Sequence, residues 1–325
     1  MKISELSPLT HTMIVDIIRD AGAPPGVVNS LQAARADAAA VTEALIADER
    51  IRKVEFIGSA AVGRLIGATA AKHLKPVLME LGGKCPAIVL DDANIQKAAT
   101  ACAKGALLHH GQICFGTERI IVQRAVADKF IEMLVKVVEE TPGGTAVSEG
   151  IAQHALEVLQ DAKDKGAKFL TGGPEYASKN AVKPSLVQLD TKASRDHLRI
   201  VDEETFGPSA SVYVVDSDEE AIALANRSSY GLNAAVHTQN MERFIKMARD
   251  LEYGQVHANA TSVYTSRKWS RLPFEFASSA DCKPAMGPQG GVKGSGWGRQ
   301  NAKWGLEEYY VERHLSWSGK NAPTH

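Results

Sequence analysis

The chain has 325 residues, 44% of them hydrophobic, enough to bury a large core and to build two domains. Its formal net charge is −1, with both signs spread along the chain, so a basic nucleic-acid-binding face is excluded as the basis of function. Four cysteines (Cys85, Cys102, Cys114, Cys282) show no CxxC spacing, which argues against a zinc site and a disulfide framework. No apolar run is long enough to cross a bilayer, and MKISELSPLTH lacks the apolar stretch of a signal peptide. A soluble, cytoplasmic protein in a reducing compartment is the expectation.

Helical and strand patterns alternate from the start. THTMIVDIIRDAG (10–22) places Met13, Ile14, Ile17 and Ile18 on one helical face and stops at Gly22. PPGVVN reads as a turn and a short strand, and AARADAAAVTEALIADE as a helix. IRKVEFIG (51–58) is a predicted strand, and SAAVGRLIGATAAKHL the helix after it. VLMEL and PAIVL follow as strands, and DDANIQKAATACAKGALLHH as a helix capped near Asp92 or Asn94. ERIIVQR is a strand and VADKFIEMLVKVVEE a helix. Later come the strand ASVYVV, the helix SDEEAIALANR, the strand LNAAVHT, the helix NMERFIKMARDLE and the strand GQVHAN. Such alternation predicts an α/β protein with largely parallel sheets. Two stretches break the rhythm and read as surface loops: ETPGGTAVSEG (140–150) and a segment over 265–291.

Two local features invite chemistry. At Gly58-Ser59 a strand passes at once into a helix, whose first N–H groups could meet a diphosphate; equally, the small residues there and at Gly63 could serve packing alone. Cys114, in HHGQICFGTER, is either a small buried hydrophobe or a nucleophile.

Three stretches in order, FIGSAAVG, MELGGKCPAIVL (79–90) and GQICFGTER (111–119), resemble the NAD(P)-dependent aldehyde dehydrogenase superfamily. AGAPPGVVN, EETFGP (203–208) and GGVKGSGWGR (290–299) agree with it. The wording SGWGRQNAKWGLEEY resembles the branch acting on salicylaldehyde, vanillin and related aromatic aldehydes. The resemblance implies that fold, with a partial Rossmann-like cofactor domain over 1–80, an α/β catalytic domain over 81–290, and a return segment over 291–325. Within that segment LEEYYVER is expected as a strand joining a partner subunit's sheet.

The resemblance also implies roles. Cys114 matches the nucleophile and Glu80 the general base. Gly58, Ser59 and Gly63 match the cofactor turn; Lys2 and Glu5 match the pair that holds the adenosine ribose; Glu204 and Phe206 match the pair that holds the nicotinamide ribose and ring. The implied cofactor is NAD, because a Glu at position 5 repels the 2′-phosphate of NADP. No metal is implied, and the partner is a small aldehyde. The chemistry suits these residues: a thiolate attacks an aldehyde carbon, hydride leaves to the nicotinamide, and activated water hydrolyses the thioester. A lowered thiol pKa at Cys114 and a raised carboxyl pKa at Glu80 are expected. A Cys114 dyad with His109 or His110 is not a family feature, and packing at a helix end is their expected role.

The sequence also departs from the family pattern. Members carry a longer amino-terminal portion before the position of Lys2, with early strands, an oligomerisation hairpin and an Asn of the oxyanion hole. An amino-terminally truncated member with a weakened homo-oligomer is therefore the expectation. Losing one oxyanion donor costs about a hundred- to a thousandfold in rate. Two readings remain open at this point: an aldehyde-oxidising enzyme, or a non-catalytic chain that associates with a full-length relative.

Overall fold

A computed structural model describes residues 1–261 and 287–317. Cys282 and most of the 265–291 segment lie outside the described residues. The chain opens with α1 (Pro8–Asp20), α2 (Ala38–Ala47), β1 (Val54–Ile57), α3 (Ala60–Lys72) and β2 (Val77–Glu80). It continues through β3 (Cys85–Val89), α4 (Ile95–Leu107), β4 (Thr117–Gln123), α5 (Arg124–Glu140), α6 (Glu149–Asp164) and β5 (Lys168–Thr171). Then come β6 (Tyr176–Ser178), β7 (Ala181–Val182), β8 (Ser185–Gln188), β9 (Ser209–Val215), α7 (Asp218–Asn226) and β10 (Tyr230–Gly231). Next are β11 (Asn233–His237), α8 (Met241–Asp250) and β12 (Gln255–Ala258), and finally β13 (Val292–Lys293), β14 (Gly296–Trp297) and α9 (Ala302–Glu307).

The larger sheet has seven strands in the order β12-β11-β3-β4-β9-β8-β5. Every neighbouring pair is parallel except β5 with β8. Its central strands are buried on both faces, so they read as continuous apolar runs such as CPAIV. Alternate residues feed two cores: Ala87, Val89, Ile120 and Val122 meet α4 and α5, while Ile88, Ile121 and Tyr213 meet α6 and α7. On α5, Ala127, Phe130, Leu134 and Val138 recur at helical spacing and are buried. Asn94 and Ser148 start α4 and α6 by accepting from the N–H groups of Lys97 and Ile151. α6 and β5 to β8 are absent from the sequence reading, because the inner face of α6 is mostly alanine and those strands are two to four residues long.

The second sheet has three strands. β1 pairs parallel with β2, and β14 pairs antiparallel with β2. Ala60, Gly63, Ile66 and Ala70 of α3 pack against Met79 and Leu81.

One expectation needs correction. No strand forms over PPGVVN; the pairing comes later, where Leu31 bridges Lys2. LEEYYVER finishes α9 and continues without strand pairing among the described residues; the pairing expected of it is with a partner subunit. The apolar face of α1 exists but is uncovered, with Met13, Ile14 and Ile17 all exposed and no residue of the helix buried. No helix among the described residues is long and apolar enough to cross a membrane.

Phe130 is fully buried between α4 and the sheet, so Phe130→Ala leaves a cavity. Urea unfolding should show a loss of about 3–5 kcal/mol. A loss below about 1 kcal/mol, the size expected of a surface substitution, would contradict this packing.

Candidate active site

Two turns meet at the carboxyl end of β2. The register sets Ile57 opposite Glu80, so the strand-to-helix turn lies beside the glutamate, and the Gly58 N–H donates to the Glu80 carbonyl at 3.2 Å. Ligands gather at the carboxyl ends of parallel strands in open α/β sheets, and this turn is such a place. Ser59 caps α3 by accepting from the Val62 N–H at 3.3 Å. Gly63 is buried; a Cβ there would lie 2.6 Å from Leu81 Cδ2, so its lack of side chain sets how closely α3 approaches the start of the connector after β2.

That connector, residues 81–84, carries the chain straight from β2 into β3. Close approach marks both of its glycines, by backbone at Gly83 and by a side-chain carboxylate at Gly82. A Cβ on Gly82 would stand 2.2 Å from Glu204 Oε2, and one on Gly83 would stand 2.5 Å from the Cys114 carbonyl oxygen. Glu80, Glu204 and Cys114 can therefore share one site. Cys114 Sγ donates to Glu80 Oε1 at 3.2 Å. Glu80 is 4% exposed, and its other oxygen accepts from Gln289 Nε2 at 3.2 Å. Glu204 accepts from the Gly83 N–H at 3.0 Å.

Electrostatics departs from expectation at the thiol. Burial, together with the Glu80 carboxylate beside it, pushes the Cys114 thiol well above the ordinary range, not below it. It is held as a protonated donor. Cys85 and Cys102 are fully buried, as expected of core residues, and burial pushes each up to about 12. Burial and the nearby Glu118 charge push Glu204 up to about 8.

His110 is not aimed at the cysteine. Its Nδ1 donates to the Gly143 carbonyl at 3.1 Å, and Nε2 accepts from the Val182 N–H at 3.4 Å. Gln112 bonds the carbonyls of His109 and Thr145 and the Val147 N–H. The 140–150 loop is thus tied to the turn ahead of Cys114. His109 and His110 hold positive φ values of 53° and 64° in that turn, each at a cost of order 1–3 kcal/mol.

Lys2 and Glu5 lie at the start of the chain. Backbone bonds tie the first residues to Leu31, Glu5 is exposed, and no hydrogen bond or ion pair among the described residues links either side chain to the 58–63 turn. Three contributors carry no role in the sequence reading. Lys84 and Glu118 sit inside quoted stretches, next to the apolar runs PAIVL and IIV, and a charged residue buried beside such a run must be paired. Gln289 gave no signal. The turn at 58–63 and the half-buried carboxyl of Glu204 suit a dinucleotide's diphosphate and ribose hydroxyls, which are acceptors and donors respectively. Among the described residues no cluster of His, Cys, Asp and Glu could hold a metal ion.

Alkylation rates tell whether the thiol is raised. Iodoacetamide should label Cys114 faster than the buried Cys85 and Cys102, with a rate still climbing above pH 9 because the thiolate appears only there. Glu80→Gln removes a neighbouring negative charge, so the midpoint should fall. A midpoint at or below the free-thiol value of about 8.5, or none moved by Glu80→Gln, would contradict the Cys114–Glu80 contact.

The family model for the aldehyde dehydrogenase family matches residues 1–275. A vanillin dehydrogenase from Pseudomonas sp. (strain HR199 / DSM 7063) is 38% identical over the whole of this chain and 64% of its own length. A salicylaldehyde dehydrogenase from Pseudomonas sp. (strain C18) is 35% identical over 95% of this chain and 61% of its own. The crystal structure of a salicylaldehyde dehydrogenase from Pseudomonas putida G7, complexed with salicylaldehyde, superposes with a TM-score of 0.85 at 34% identity, covering 99% of this chain and 64% of that one. Betaine aldehyde dehydrogenase from Staphylococcus aureus in complex with NAD+ gives 0.83 at 29% identity, covering 97% and 60%. The chain spans somewhat under two thirds of the length of these relatives. On the family match and the shared fold, this chain belongs to the aldehyde dehydrogenase family.

Proposed function

We propose that the chain oxidises an aromatic aldehyde to its carboxylic acid with NAD. The observation that carries the reading is the Cys114 Sγ–Glu80 Oε1 contact of 3.2 Å, inside a chain of this family. Glu80 accepts the thiol proton as Sγ bonds to the aldehyde carbon, which overcomes the raised thiol pKa at the moment of attack. The aldehyde oxygen becomes an oxyanion next to the Cys114 backbone. NAD, when bound, supplies the hydride acceptor. The carbon then remains on Cys114 as a thioester. Glu80 gives the thiol proton to solvent, then takes a proton from water as the water oxygen attacks the thioester, and returns that proton to sulfur as the acid leaves and the thiol reforms. Gln289 orients the Glu80 carboxylate through its second oxygen.

For binding, Gly58, Ser59 and Gly63 form the diphosphate turn, Lys2 and Glu5 the adenosine-ribose side, and Glu204 and Phe206 the nicotinamide side. NAD is favoured over NADP by the charge of Glu5. Residues 1–80, 81–290 and 291–325 act as cofactor, catalytic and return segments. The aromatic preference rests on the vanillin and salicylaldehyde dehydrogenases among the relatives. A second reading, association with another polypeptide, is favoured by the uncovered apolar face of α1.

NADH fluorescence tests this reading. The chain should reduce NAD in the presence of vanillin or salicylaldehyde, and reduce NADP more slowly. Cys114→Ala should abolish the signal, and Glu80→Gln should slow steady turnover by about 10²–10⁴. A signal that survives Cys114→Ala overturns the mechanism. No signal with any aldehyde leaves the association reading.

A further inference from the structure

Outside the reacting pair, a buried polar cluster lies between the start of β3, β4 and the loop ahead of β9. Lys84 is 1% exposed and Glu118 is 7% exposed. Their side chains form an ion pair at 2.5 Å. Neither reaches Cys114 or Glu80 through any hydrogen bond among the described residues, so the reaction as derived leaves both without a task.

Their other bonds converge on one short segment. Glu118 Oε1 accepts from the N–H groups of Thr205 and Phe206, both at 3.0 Å, and Oε2 accepts from the Thr205 N–H at 2.9 Å. Lys84 Nζ donates to the Glu203 carbonyl at 2.7 Å and to Thr205 Oγ1 at 3.2 Å. Residues 203, 205 and 206 are thus held on both sides of Glu204. The conformation needs holding: Phe206 takes a φ of 50°, a left-handed backbone that an aromatic residue rarely adopts. Arg119, next to Glu118, anchors the other end by donating to the Lys84 carbonyl at 2.8 Å. The residue types suit the task. A carboxylate can accept several N–H groups at once, and a lysine supplies its counter-charge while donating to a carbonyl and a hydroxyl in the same place.

We propose that the buried Lys84–Glu118 pair is the positioning element that holds Glu204 and Phe206 in their cofactor-facing conformation. The inference rests on the reading of Glu204 and Phe206 as cofactor contacts. Lys84 and Glu118 touch neither substrate nor cofactor; they act through the backbone of 203–206.

Two double variants separate positioning from plain stability. Replacing both charges avoids leaving one buried without a partner. Lys84→Met/Glu118→Leu removes the acceptors for Thr205 and Phe206, whereas Lys84→Met/Glu118→Gln keeps an acceptor oxygen. Hydrogen exchange of the cofactor-free chain is read over 203–207 and over the central strands, and NAD affinity is read by titration. In the leucine variant, exchange over 203–207 should rise and NAD binding weaken, each by roughly tenfold or more, while the central strands keep their protection. The glutamine variant should recover most of both. Unchanged exchange over 203–207, or a rise spread equally over the central strands in both variants, overturns the proposal. So does unchanged NAD affinity where the parent chain binds NAD. If the parent chain binds no NAD, the cofactor reading fails separately, and the exchange pattern alone decides whether the pair holds the segment.

Discussion

The site depends on the passage from β2 to β3 in four residues. One strand belongs to the three-stranded sheet and the other to the seven-stranded sheet, so residues 81–84 fix how the turn at Gly58 meets Cys114. Backbone closes in on Gly83, and the Glu204 carboxylate on Gly82. Side chains at 82 and 83 would occupy the space of the Glu204 carboxylate and the Cys114 carbonyl. Glu80 ends one strand, Lys84 precedes the next, and the two glycines between them give room for the groups that converge there.

Burial governs the chemistry of these groups. The Cys114 thiol is held neutral by desolvation and by Glu80, and it becomes reactive by passing its proton to that carboxylate. Glu204 is pushed toward its neutral form in the same way. Lys84 and Glu118, also buried, form an ion pair at 2.5 Å. One strand, TERIIVQ, contributes to both halves of this scheme. Glu118 points to the 203–206 segment, while Arg119 reaches the end of α7 at the carbonyls of Leu224 and Ala225.

Much of this was legible in the sequence because it is local. The strand PAIVL, the Asn94 cap of α4 and the helix VADKFIEMLVKVVEE follow from period, capping and apolar runs. The motif order placed Cys114, Glu80 and Glu204 in one site. The thiol pKa was not legible, since its direction depends on which charges stand near it in space. The pairing of Glu118 with Thr205 and Phe206 spans some 87 residues, and no local pattern reports such a distance. LEEYYVER carries strand-forming tyrosines and a valine, yet pairing is a property of neighbours and not of the segment. The alanine-lined α6 was missed because alanine carries little hydrophobic contrast.

The central claim is that Cys114 carries the substrate covalently and Glu80 releases it. The most direct measurement is the mass of the Cys114 peptide from the unmutated chain, acid-quenched within the first turnover with NAD and salicylaldehyde. The account requires an acyl group, the aldehyde less one hydrogen, on that peptide, removable by hydroxylamine and absent from Cys85 and Cys102. An unmodified Cys114 peptide alongside newly formed NADH would contradict it.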